Sequence, residues 1–196
     1  MCCGTKRLVE IRCPSDCSWL ASSREHPPAV VVRQQQHDVA VLVQVTRDFS
    51  QQQSRLFFLI SRFLVGYESP HLQPVFAMVP MVDEDIADAT TALAASFETE
   101  SRGVIYEHRP TSSAGERLAA ALKPVLAEAG KGAGSSFTRD GAVVLRQFAQ
   151  AVRQARDHDR ENRRAFLELL DRTVGRFGSS EDDASATRES PRLIVP

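Results

Sequence analysis

Residues 29–65 read "AVVVRQQQHDVAVLVQVTRDFSQQQSRLFFLISRFLV", and their periodicity decides the fold class. Val32, Gln35, Val39, Leu42, Thr46, Phe49, Gln53, Leu56, Ile60 and Phe63 recur at alternating three- and four-residue steps, and seven of these ten are apolar. Such a stripe lies along one face of a helix. The spacing predicts one long helix from about Ala29 to Val65, entered through Pro27-Pro28 and closed by Gly66. Polar seam residues Gln35, Thr46 and Gln53 make it an element of a bundle rather than an isolated coiled coil.

Further helices follow from start and stop signals. "VDEDIADA" opens a second helix at Asp83, whose side chain suits the N-cap, with Ile86, Thr90, Leu93 and Phe97 on its face and Gly103 as its stop. "VIYEHRP", residues 104–110, is β-branched and aromatic and is expected to run extended. Ser113 with Glu116 forms a capping box for a third helix lined by Leu118, Leu122, Val125 and Ala129, which Pro124 kinks or shortens. After the linker "GKGAGSS", Thr138 caps a last long helix reaching about Val174. Within it "RDHDRENRR", residues 156–164, has no apolar residue, so that part is expected to project as a solvated rod with Asp157–Arg160 and Asp159–Arg163 paired along its surface. The reading is all-α: an antiparallel bundle of about four helices, two of them long, over residues 29–177. An irregular Cys-rich segment over 1–28 precedes it, and a disordered polar tail over 178–196 follows.

Charge is nearly balanced, at −1 over 196 residues, so no global field draws the chain to nucleic acid or an anionic surface. It is unevenly spread. Residues 83–102 carry six acids against one base, and residues 139–176 carry nine arginines against six acids, which predicts that these two segments pack together. Arg153, Arg156, Arg160, Arg163 and Arg164 lie close in sequence, but interleaved acids and missing aromatics argue against a nucleic-acid surface. No apolar run is long enough to span a membrane, and no secretory signal opens the chain, so a cytoplasmic location is expected.

All four cysteines fall in the first 17 residues. In a reducing compartment a cluster of this kind reads as metal ligands before disulfides. Cys13 and Cys17 flank a Pro-Ser-Asp turn that aims two sulfurs at one tetrahedral zinc. Adjacent Cys2 and Cys3 do not readily reach the same ion, so each is expected to serve a different site. His26 would complete a set with Cys3, Cys13 and Cys17; the competing reading leaves it in a solvated linker.

The stretch "CCGTKR…EIRCPSDCSWLASSREHP" resembles a segment of uncharacterised bacterial proteins in which a cysteine-rich knuckle precedes a helical domain. That pattern runs C-x-x-C, a further cysteine, C-x-x-C-C-G-T, then C-P-x-D-C-Y-L. The resemblance implies zinc ligation by Cys2, Cys3, Cys13 and Cys17, with further ligands upstream of Met1 and half the knuckle missing. Trp19 stands where the pattern has tyrosine. The likeness covers the first 28 residues and touches the helices through "ETESRGVIYEHRP"; it implies no activity. "MCCGTKR" also resembles the start of neuromodulin-type proteins, which implies acylation of Cys2 and Cys3 beside Lys6 and Arg7.

One further constellation carries chemistry. Glu107-His108-Arg109 supplies an orienting carboxylate, a base and an anion clamp for an enzyme reading, but no nucleophile or cofactor motif accompanies it. The expected function is therefore a non-enzymatic module, a zinc knuckle on a helical bundle that binds a protein partner or self-associates, with no small-molecule substrate.

Overall fold

The computed structural model describes residues 27–68, 81–134 and 136–174. The chain divides into two compact units, residues 1–40 and 41–196. All regular structure among the described residues is helical, and helices pack into a bundle. The elements are α1 (Ala29–Thr46), α2 (Gln51–Gly66), α3 (Asp83–Ser101), α4 (Ser113–Gly130), α5 (Phe137–His158) and α6 (165–174). Cys2, Cys3, Cys13, Cys17, His26, most of the 1–28 segment and the tail over 178–196 lie outside the described residues.

The first unit enters α1 at the prolines, where the carbonyl of Pro28 accepts the N–H of Val32 at 3.1 Å. One turn on, Gln34 Nε2 donates to Asp38 Oδ1 at 2.9 Å.

The single helix expected over 29–65 is two helices. The apolar seam continues across the break, with Leu42, Val45, Leu56, Ile60 and Leu64 all buried, but the backbone does not. Ser50 is extended (φ −65°, ψ 165°) and its Oγ accepts the N–H of Gln53 at 3.2 Å. The Gln53 side chain returns to the Ser50 N–H at 3.0 Å. This capping box satisfies two of the donors that a helix start leaves open, so restarting at Gln51 costs little.

The last helix is likewise two. α5 ends at His158, residues 159–164 turn, and α6 follows. The expected rod is absent, and neither Asp157–Arg160 nor Asp159–Arg163 forms an ion pair; Asp159 Oδ1 instead accepts the N–H of Asn162 at 3.2 Å. Nine consecutive polar residues offer no apolar face to hold a helix against the core, whereas the turn lets Phe166, Leu167, Leu169 and Leu170 fold back into it.

Helix starts are shifted elsewhere. Asp83 is the first residue of α3 rather than its cap, and Asp85 Oδ2 accepts the N–H of Val82 at 3.2 Å. Ser112, not Ser113, caps α4, its Oγ accepting the Gly115 N–H at 2.9 Å. α5 begins at Phe137 behind Ser136, ahead of the expected Thr138. α4 runs through Pro124 without stopping.

The second unit's core is built on rings. Phe57 and Phe148 stack at 4.4 Å between centroids, and Phe166 meets Phe148 edge-on at 5.9 Å, all three fully buried. α3 and α5 form the most extensive helix pair. They run antiparallel: Glu84 pairs with Arg156 at 2.9 Å at one end and Glu98 with Arg146 at 2.7 Å towards the other. The acidic and basic segments pack together as their charges predicted. Gly141 permits the close approach, since a Cβ there would sit 2.7 Å from Cδ1 of Phe97.

Candidate interaction site: the strap along α3

Between α3 and α4 the chain forms neither helix nor strand over residues 104–110. It turns at Gly103, whose φ of +81° suits glycine, and runs back along α3 as an extended strap. Hydroxyl and carboxylate groups of α3 hold it. The Val104 N–H donates to the Thr99 carbonyl at 3.0 Å, and Thr99 Oγ1 donates to the Tyr106 carbonyl at 3.2 Å. The His108 N–H donates to Ser96 Oγ at 2.8 Å. Asp88 then closes the strap: its carboxylate accepts the Thr111 N–H and hydroxyl and the Ser112 N–H, at 2.8 to 3.1 Å. Thr99, Ser96 and Asp88 lie along one side of α3, so the order of these contacts brings the strap back towards the start of that helix.

Asp88 also sets the start of α4. A Cβ on Gly115 would lie 2.8 Å from Asp88 Oδ2 and 2.9 Å from Ser112 Oγ, so glycine there keeps the cap and the anchor compatible. Since α4 begins beside Asp88 and passes Lys123 by Glu107, α3 and α4 run in the same sense.

Electrostatics favour the anchored form. Burial works against the charge on Asp88, but the hydrogen bonds from Ser112 and Thr111 together outweigh it and hold the carboxyl below its ordinary value. Glu98 is likewise lowered, foremost by the hydrogen bond from Arg146. Arg146 binds it in a fork, Nε to Oε1 at 2.7 Å and Nη2 to Oε2 at 2.8 Å. Glu107 is lowered by its hydrogen bond and charge contact with Lys123.

The side chains of Glu107, His108 and Arg109 are not joined to one another by hydrogen bonds. Glu107 engages Lys123, and no hydrogen bond joins it to His108. The His108 ring lies edge-on to Tyr106 at 4.7 Å, with Nε2 buried and unpartnered among the described residues. Arg109 forms no salt bridge among the described residues. His26, the other histidine of the Glu-His echo, lies outside the described residues.

The outer side of the strap is apolar. Val104 is 55% exposed, Ile105 97% and Tyr106 60%. A cleft of about 390 Å³ opens at the Asp88 end, lined by Glu84, Asp88, Ser112, Arg153 and Arg156. Its charges are already partnered within the fold, Arg156 by Glu84 and Arg153 by Thr91 Oγ1 at 2.9 Å. Among the described residues no group of His, Cys, Asp and Glu is arranged to hold a metal ion, and no helix is long and apolar enough to cross a membrane. The composition of "VIYEHRP" predicts the extended strap but not its exposure, for which the signal is three consecutive apolar residues in a segment with no amphipathic period. Compared with known proteins, the chain matches no family model, no curated protein and no solved structure.

Proposed function

We propose that the chain is a protein-interaction module in which a helical bundle displays the 104–112 strap to a partner. The observation that carries this reading is the run of Val104, Ile105 and Tyr106, exposed on a segment tied down at both ends. Solvent-facing apolar residues in sequence cost solubility unless something covers them, and pinning removes much of the ordering entropy a partner would otherwise oppose. Replacing all three by serine tests it. The variant should melt as the parent does, because these side chains are outside the core, and should lose its co-purifying or self-associating partner in cross-linking and sedimentation. Unchanged association would remove the reading.

The N-terminal cysteines belong to the same proposal. Cys2, Cys3, Cys13 and Cys17, with His26, are read as ligands of a zinc knuckle; the spacing of Cys13 and Cys17 supports it. Metal analysis of purified chain, with Cys13→Ser and Cys17→Ser alongside, tests that part. Zinc bound by the parent should be lost from both variants, and zinc retained unchanged by both would sink it. Binding would stabilise the segment by on the order of 10 kcal/mol.

A further inference from the structure

The backbone of the strap carries a second pattern. Val104 and His108 turn their N–H groups, and Tyr106 its carbonyl, to α3. In an extended chain, successive residues direct their N–H and C=O to opposite sides. The groups of Ile105, Glu107 and Arg109 therefore point away from the bundle, and they make no hydrogen bond among the described residues. Three outward donor–acceptor pairs at every second residue are what the open edge of a sheet presents. Pinning along α3 keeps them in line.

We infer that the strap accepts one extended peptide segment of a partner protein by strand addition along Ile105, Glu107 and Arg109. Docking in this mode rests on the interaction function proposed above. Main-chain bonds would supply register, and the side chains supply choice. Glu107 is engaged by Lys123, whereas Arg109 is exposed and forms no salt bridge among the described residues, so the charge this edge offers a partner is positive. Ile105 offers an apolar contact four residues before it, about 13 Å away along an extended chain. The partner segment accordingly has an apolar residue and an Asp or Glu four positions apart. A second copy of the strap fits less well. Two-fold pairing centred on Glu107 sets like charges opposite each other, and centring on Tyr106 leaves Arg109 opposite Gly103. An edge this short also buries far less than the roughly 1,000 Å² a stable dimer needs, which suits a linear peptide.

Panning displayed random dodecapeptides against the full chain tests the inference, with Ile105→Pro and Arg109→Glu as comparators. Proline at 105 removes an outward N–H that has no internal partner, and both positions are exposed, so each variant should keep the parent's circular dichroism and melting. Selected peptides should share the apolar-to-acidic spacing and lose at least about tenfold in affinity on either variant. Arg109→Glu should in addition gain for peptides whose acid is changed to lysine. Peptides that bind Ile105→Pro equally well would overturn the strand-addition mode while leaving an interaction function standing. A dimer that forms at micromolar concentration and vanishes in Ile105→Pro would overturn the peptide assignment in favour of a second copy. With no selected peptide and no self-association, both the mode and the interaction function fall.

Discussion

The carboxylate of Asp83 caps a helix that begins at the far end of the chain, accepting the N–H of Phe166 at 2.9 Å. Its second oxygen takes the N–H of Leu167 at 3.1 Å, and the Asp83 N–H donates to the Arg163 carbonyl at 2.9 Å. Asp83 is fully buried, and Phe166 is among the largest buried side chains. Desolvation raises the Asp83 carboxyl above its ordinary value, against the two backbone donors that lower it.

Asp83→Ala should therefore be among the costlier substitutions in the second unit. It leaves two N–H groups at the start of α6 buried without acceptors, at about 1–3 kcal/mol each before relaxation, so a loss of about 2–4 kcal/mol is expected in urea unfolding at neutral pH. Asp83→Asn retains one acceptor and should lose less. The sign of the pH effect is fixed by the raised folded value: protonation favours the folded state, so the parent gains stability as pH falls through that value towards about 3.9. The deficit of the asparagine variant should widen over that window. A constant deficit would show that the carboxylate is not taken out of water as described.

Asp88 should respond in the opposite direction. Its folded value is depressed, so its contribution is complete above about pH 4 and is lost as pH falls through the folded value. Below pH 4, hydrogen exchange at Thr111 and Ser112 should accelerate before that of the α3–α5 core. Asp88→Ala, which removes both acceptor oxygens, should show fast exchange at both amides already at neutral pH and a stability loss of about 1–2 kcal/mol. Protection at Thr111 that ignores both pH and the substitution would mean something else anchors the strap.

Gly141 and Phe97 should be coupled. Alanine at 141 gains about 1 kcal/mol of helix propensity but meets the Phe97 ring at 2.7 and 2.8 Å, an overlap that costs about 1–3 kcal/mol. Gly141→Ala is expected to be neutral to about 2 kcal/mol destabilising in the parent and stabilising once Phe97→Ala has removed the ring. The double-mutant cycle measures the difference directly.

The Glu98–Arg146 fork is well formed, but both side chains are about a third or more exposed, so solvent screens it. Arg146→Ala should cost no more than about 1 kcal/mol, and raising salt should erode the difference. A salt-independent loss well above that would mark Arg146 as packing rather than pairing.

Much of the fold is legible from side-chain period alone. Ile86, Thr90 and Leu93 on α3 and Leu118 and Leu122 on α4 are buried as their spacing requires, and the opposed charge of the two segments brings α3 and α5 together. The first break is not visible in that period. The seam from Thr46 through Phe49 to Gln53 keeps its phase across residues 47–50, so an apolar count sees one helix. Ser50 with Gln53 was the local cue, a capping box in the middle of a run that looked continuous. The second shows as the apolar gap over residues 156–164, but the cap that restarts the chain there is Asp83, 83 residues from the N–H it satisfies, and no local rule connects positions so distant. For the strap, sequence gave the extended backbone but not its outward edge, because which peptide groups face solvent is decided by Thr99 and Ser96 of another element.

Chain order gives the Asp83 cap a temporal side. A ribosome finishes α3 long before it reaches Phe166, so the nascent carboxylate accepts hydrogen bonds from water until the closing segment emerges. Closure of this contact waits for α6. Any premature stop ahead of residue 166 leaves a hydrated acid where the finished protein has a dry one.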